Sequence, residues 1–401
     1  MLILHAMKFH YARRILILAS IALFNTSTSA QVATVKLELY NHQVWLKAGL
    51  TGTKTDTLNF LFDSGAGTAL LDSTVARKIF KDGKFGQIIG SGAGGNISMQ
   101  VLDNQSIYLG GVKIDSVKLL VNNLGNLSAT VGRKLDGIIG FDLLKKYVTR
   151  IDLDQQILTL YKDLQDLKAE KGQLLAFEFS PEIGFLPRLK CSFTTLAGKN
   201  YSGWFFMDSG AGLTTLLNTP FVNTNKLLHT TGKTLQLKTM GMTNASERYL
   251  ARIKDFSFGG YVFKDVPLSL SQTTSGVSAM DGYLGLLGNE FLFRFNMTFD
   301  YNHGAIYLQP NKYYTTPFDF PLCGFSVKLE NGKVYVSFIA PDAPEKAQGL
   351  ASGDEIVSVN NKNNLSIAEV RELLKHPGKI ILKVKHGNAE KTFDIPLYPR
   401  I

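Results

Sequence analysis

At 401 residues, with 45% hydrophobic and 19% charged residues, the chain is long enough for two or three domains with their own cores and too apolar to be disordered. Its formal net charge of +10 falls to about +7 once the three basic residues before residue 31 are set aside. The remaining basic residues are dispersed with no run of five or six, which argues against nucleic-acid binding and leaves the excess as solubility and envelope-surface affinity.

The chain opens with Lys8, Arg13 and Arg14, an apolar run from Ile15 to Phe24, and the small residues Thr28-Ser29-Ala30. That order predicts a signal peptide over 1–30, cleaved after Ala30, and an exported chain in the periplasm, the cell envelope or the extracellular space. The apolar run is too short to span a bilayer comfortably, and no transmembrane helix is expected in the mature chain. The two cysteines, Cys191 and Cys323, either pair or stay as separate buried thiols; the sequence leaves both open.

Strands are expected at 35–39, where apolar residues alternate, and at 44–50, with a polar hairpin loop at 51–57. Phe60-Leu61-Phe62 then runs into Asp63-Ser64-Gly65-Ala66-Gly67, and Leu70-Leu71 follows. This reads as a buried strand, a tight glycine turn carrying one carboxylate, and a second buried segment. A helix is expected over 73–81, capped by Ser73 or Thr74. Gly90-Ser91-Gly92-Ala93-Gly94-Gly95 is a glycine-rich loop between strands. It lacks the Lys-Ser or Lys-Thr and the following helix that a phosphate cradle needs. Strands follow at 106–109 and 112–121, then Asp136-Gly137-Ile138-Ile139-Gly140, and a charged segment at 161–171.

The pattern then returns. Trp204-Phe205-Phe206-Met207 leads into Asp208-Ser209-Gly210-Ala211-Gly212, 145 residues after the first copy, and Leu216-Leu217 follows. Gly285-Leu286-Leu287-Gly288 repeats Gly137-Ile138-Ile139-Gly140 at an offset of 148, a match that continues without a gap to 306–308. Asp281-Gly282-Tyr283-Leu284-Gly285 is the shorter competing match. Upstream, Phe177-Glu178-Phe179 repeats Leu37-Glu38-Leu39. A duplicated lobe is therefore expected, with copies at 33–165 and 172–310. One Asp-Ser-Gly is a common turn. Two in equivalent frames bring one carboxyl each to a shared seam, where one holds a proton and the other stays charged.

The two Asp-Ser-Gly-Ala stretches resemble the active loops of retropepsin-like aspartic proteases, here with both lobes in one chain as in pepsin-like enzymes. The resemblance implies a mainly β fold of two β-barrel lobes, with Asp63 and Asp208 as the catalytic dyad. It implies that Ser64, Gly65, Ser209 and Gly210 support the active loops. It also implies flaps over the cleft: Gly92, Ala93 and Gly94 in lobe one, and Gly241 and Met242 in lobe two. The two apolar residues and glycine at 138–140 would form a strand behind the catalytic loop.

After Pro310 the texture changes to an aromatic, polar connector at 311–321. Leu322-Cys323-Gly324-Phe325, then Val334-Tyr335-Val336, Ala347-Gln348-Gly349-Leu350 and Gly353-Asp354-Glu355-Ile356-Val357 resemble a small α/β PDZ domain over 322–398. That resemblance implies a loop at Gly324-Phe325 that holds a peptide C-terminus by backbone N–H groups, and a groove helix over 367–375 carrying Val370.

Two functions fit. One is an aspartic endopeptidase acting on peptide or protein substrates, with a PDZ unit that binds peptide C-termini. The alternative is a catalytically weak clamp or adaptor that uses the same cleft and groove. No cofactor is implied: there are seven His and no His-Glu-x-x-His spacing for a metal. A Gly-x-Ser-x-Gly elbow for a serine nucleophile is also missing.

Overall fold

The computed structural model describes residues 31–51, 56–92, 95–240 and 245–401. The expected signal peptide therefore lies outside the described residues, as do flap positions Ala93, Gly94, Gly241 and Met242. Among the described residues no helix is long and apolar enough to cross a membrane.

The fold is mostly β, and the duplication is visible strand by strand. One eight-stranded sheet runs Glu38–Tyr40, Gln43–Leu50, Leu58–Phe62, Gly137–Ile139, Leu70–Asp72, Val112–Asn122, Gly95–Leu109, Gly86–Gly92. A second runs Glu178–Phe179, Pro187–Thr195, Asn200–Met207, Gly285–Leu287, Thr215–Leu217, Tyr261–Ser271, Ala245–Phe258, Leu235–Met240. The order is the same, element for element. In each sheet the second strand also pairs with the last but one, Gln43–Leu50 with Gly95–Leu109 and Pro187–Thr195 with Ala245–Phe258, which curls the sheet toward closure. Gly285–Leu287 runs parallel to Asn200–Met207 as Gly137–Ile139 does to Leu58–Phe62, so the longer of the two sequence matches is the structural one.

A six-stranded sheet joins the lobes. Its central pair is Val148–Asp152 from lobe one against Phe295–Asp300 from lobe two, with Ile151 opposite Met297. All eleven residues of that pair are buried. Asn296 ties the seam further: its Oδ1 accepts the Leu153 N–H at 2.8 Å and its amide donates to Asp154 at 2.8 Å.

The lobes fill their cores differently. Lobe two stacks Phe256 on Phe291 (centroids 4.8 Å) and packs Phe205, Phe258 and Phe263 around them. Lobe one relies on Leu46, Leu50, Leu71, Ile107, Leu109 and Leu119. The expected helix at 73–81 runs Ser73–Ile79, and its cap is Asp72, whose Oδ1 accepts the N–H groups of Thr74 and Val75. The carboxylate reaches both amides from the strand end, so neither Ser73 nor Thr74 is needed as a cap. Cys191 and Cys323 are both buried and free. Burial pushes the Cys323 thiol up to about 11 and raises the Cys191 thiol well above its ordinary value.

The C-terminal sheet runs Phe325–Glu330, Lys333–Ile339, Glu355–Val359, Gly378–His386, Ala389–Leu397. Asn331 and Gly332 make the first turn at positive φ, as a two-residue hairpin requires. The groove helix is Ile367–Leu373, with Ser366 and Glu369 forming a capping box.

Candidate active site

Each catalytic-type loop leaves its sheet at the end of a buried strand. In lobe one the Asp63 N–H donates to Ile139 O (2.9 Å), which hangs the aspartate from the strand behind it. In lobe two Asp208 N–H donates to Leu287 O (3.0 Å) in the same way. The chain then turns: Ala66 N–H reaches Asp63 O and Phe141 N–H reaches Ala66 O. Such close backbone crossing leaves no room for side chains. A Cβ on Gly140 would sit 1.8 Å from Asp63 O, and one on Gly288 would sit 2.2 Å from Leu213 O. These two glycines are required by approach alone, since neither has positive φ.

The two loops meet at the seam. Ser64 N–H donates to Ser209 Oγ (2.9 Å) and Ser209 N–H donates to Ser64 Oγ (3.0 Å), a reciprocal pair in which both residues are buried. Ser64 Oγ–H completes its bonding on Met207 O at 3.4 Å. The glycines let the carboxyls interleave: a Cβ on Gly65 would lie 2.9 Å from Asp208 Cγ, and one on Gly210 only 2.4 Å from Asp63 Cγ. Asp63 Oδ1 accepts the Gly65 N–H at 2.7 Å. Asp208 Oδ1 accepts those of Gly210 and Ala211 at 2.9 and 3.0 Å. Asp63 and Asp208 hydrogen-bond to each other.

The electrostatics follow. Burial, then the Asp208 charge and the hydrogen bond to Asp208, raise Asp63 well above the ordinary aspartate range. Burial also raises Asp208, opposed by the hydrogen bond from Asp63 and by the Ala211 and Gly210 amides. Of the two, Asp63 is raised further and so holds a proton more strongly than Asp208. Both residues are half-buried rather than fully enclosed.

Of the other sequence-predicted residues, Gly92 ends the Gly86–Gly92 strand and pairs with Gly95, so it belongs to a hairpin. The described residues of the glycine-rich segment, Gly90, Ser91, Gly92 and Gly95, are thus strand. A Cβ on Gly95 would lie 2.9 Å from Ser275 Oγ, which places this hairpin of lobe one against the 271–279 segment of lobe two, across the seam. In the C-terminal unit, Gly324, Phe325 and Val370 cluster around one core, with Gly324 N–H donating to the buried Glu345 carboxylate at 3.3 Å.

Sequence reasoning passed over three supporting residues. Asp142 is buried and accepts from Thr68 Oγ1 and Ala69 N–H, both at 2.8 Å, anchoring the far end of the first active loop. Gln43 reaches across to Gly210 O at 3.0 Å. Phe185, from the longer turn of lobe two, presses its ring on Gly67: a Cβ there would lie 2.5 Å from it. The 148 offset does pair Asp142 with Glu290, a signal that could have flagged Asp142. Gln43 opens a strand and Phe185 lies in a turn, and neither gives such a signal.

The family model described as aspartyl protease matches residues 47–143, and the PDZ domain model matches 321–397. The chain therefore carries an aspartyl protease family domain followed, in its C-terminal part, by a PDZ domain. The second lobe lies beyond the first match and has the same strand order as the first.

Among curated proteins, serine protease HTRA3 of Homo sapiens is 32% identical over 62 residues, 16% of this chain and 14% of that protein. Serine protease HTRA1 of Xenopus laevis is 35% identical over 63 residues, 16% of this chain and 13% of that one. The matched stretch lies in the PDZ region and spans about one seventh of those relatives. Among solved structures, the HtrA3 PDZ domain bound to a phage-derived ligand aligns with 20% of this chain and 84% of that one, at 24% identity and a TM-score of 0.18.

Proposed function

We propose that the protein is an aspartic endopeptidase that hydrolyses peptide bonds in extended peptide or protein segments laid between the two lobes. The observation that carries this reading is the pair of interleaved, hydrogen-bonded carboxyls braced by the reciprocal serine bonds. In this reading a water held between the carboxyls gives a proton to the ionised Asp208. Asp63 donates its proton to the substrate carbonyl oxygen as the water oxygen bonds to the carbonyl carbon. Return of a proton to the amide nitrogen then releases the amine. The lobe-one hairpin across the seam excludes solvent from above. The PDZ unit takes peptide segments by strand addition. The chain acts outside the cytoplasm, as its N-terminal residues suggest.

The test is a peptide-library cleavage assay from acidic to neutral pH. Endoproteolytic cuts in the interior of peptides, with a bell-shaped pH profile belonging to the pair, are the expected result. A wild-type chain that binds extended peptides and cuts none would replace this reading with the clamp.

A further inference from the structure

In the PDZ unit the strand Phe325–Glu330 forms one edge of the sheet, and helix Ile367–Leu373 lies beside it. That gap is where a PDZ domain accepts a peptide as an added strand. Here it is spanned from outside. Arg371 projects from the groove helix and donates through Nη2 to Val327 O on the edge strand at 3.4 Å. The same guanidinium donates to Thr130 O (2.5 Å) and Val131 O (2.7 Å), the last carbonyls of the lobe-one helix Gly125–Val131.

That helix ends at Gly132 in the left-handed conformation, pressed so close to Ile367 that a Cβ would lie 2.6 Å from its Cγ2. Tyr40 Oη–H holds Gly132 O from the lobe-one side at 3.0 Å. The carbonyl end of a helix carries partial negative charge, so it offers Arg371 what a peptide carboxylate would. Burial accordingly depresses the Arg371 guanidinium below its ordinary range.

A second contact runs to lobe two. Leu235, on the outermost strand of the lobe-two hairpin, is buried in the PDZ core cluster, and Leu237 packs against that cluster. The equivalent outermost strand in lobe one, Gly86–Gly92, has no such cover: Ile88 is 38% exposed and Ile89 75%. Beside the groove a cleft of about 680 Å³ remains between the two units, lined by Asn126, Thr130 and Arg133 on one side and Lys328, Asn331 and Ser337 on the other.

We propose that the PDZ groove is self-occupied. The Thr130–Gly132 turn of lobe one holds the groove mouth through Arg371, and this docking also pins the outer hairpin strand of lobe two at Leu235. A peptide with an apolar last residue and a free C-terminal carboxylate competes for Arg371, enters through the cleft, and releases the strand. The docking rests on the contacts above and needs no hydrolysis; its consequence for cleavage rests on the endopeptidase reading.

The test uses the full chain carrying Asp63→Asn, so that no probe is cut, and reads amide hydrogen exchange. Adding Arg371→Ala is expected to speed exchange at least tenfold in both 125–133 and 235–238. A valine-ended decapeptide mixture with free carboxylates is expected to do the same to the Arg371 chain, and the amidated mixture to leave it unchanged. Exchange that rises only within 367–375, or a peptide that binds with no change at 125–133, would overturn the proposal. With Asp63 restored, the carboxylate peptides should raise the cleavage rate of an internal reporter peptide. A chain that cleaves nothing would sink the endopeptidase reading while leaving the exchange result to decide this one.

Discussion

Asp208 Oδ1 accepts two amide N–H groups from its own loop, and Asp63 Oδ1 accepts one. Burial, with the Asp208 charge and the hydrogen bond between the carboxyls, raises Asp63 further than Asp208, so Asp208 is the first of the two to ionise. The rise also has a stability consequence. Both aspartates are raised in the folded state. Their contribution is therefore full below the unfolded aspartate value of about 3.9 and is lost as pH rises through the folded values. Asp63→Asn removes the larger part of that loss. The variant is expected to be more stable than wild type at neutral pH, with the gap closing toward acidic pH. Thermal melts across that range check it; a variant less stable than wild type at pH 7 would contradict the assignment. The serine brace predicts the opposite sign. Ser64→Ala leaves the buried Ser209 N–H without its acceptor, at a cost of about 1–3 kcal/mol. Ser209→Ala costs a similar amount from the other side. The double variant should fall short of the sum, since the two bonds belong to one network, and urea unfolding of all three measures this.

At the scale of elements, the strand behind each active loop does the positioning. Gly140→Ala would drive a methyl group into the Asp63 carbonyl at 1.8 Å, where only backbone could give way. It is expected to destabilise lobe one by more than about 4 kcal/mol. Gly184→Ala, where a Cβ meets nothing within 4 Å, is the matched control and should be nearly silent in the same melts. The repeat made most of this legible. Two Asp-Ser-Gly copies and the 148 offset mark both strands behind the loops. Elements whose form depends on distant partners were less legible. The cap of the Ser73–Ile79 helix came from a strand-end aspartate, and the described residues of the glycine-rich segment proved to be ladder. The contacts of Phe185 and Gln43 depend on the other lobe, and no local pattern announces them.

Across the whole molecule, three units are joined by contacts the sequence did not announce. The duplicated core strands suggest that removing the C-terminal unit leaves the lobes intact. The structure refines where the cut must fall. Phe318 packs on Phe291 (5.4 Å between centroids), and Arg294 stacks over it at 3.9 Å while donating to the carbonyls of Tyr313 and Tyr314. A chain ending at Pro321 keeps this strap. One ending at Pro310 loses it and should be less stable by about 2 kcal/mol or more, read from urea midpoints. Leu235 explains a further cost shared by both truncations, since its cover comes from the C-terminal unit. The central claim is that Asp63 and Asp208 act as one device. The most direct test is the rate of peptide hydrolysis by Asp63→Asn, Asp208→Asn and the double variant, with folding checked by circular dichroism. Each single change is predicted to lower kcat by about 100- to 10,000-fold, and the double variant to be little slower than either. Losses that multiply, or either single variant cleaving at close to the wild-type rate, would contradict it.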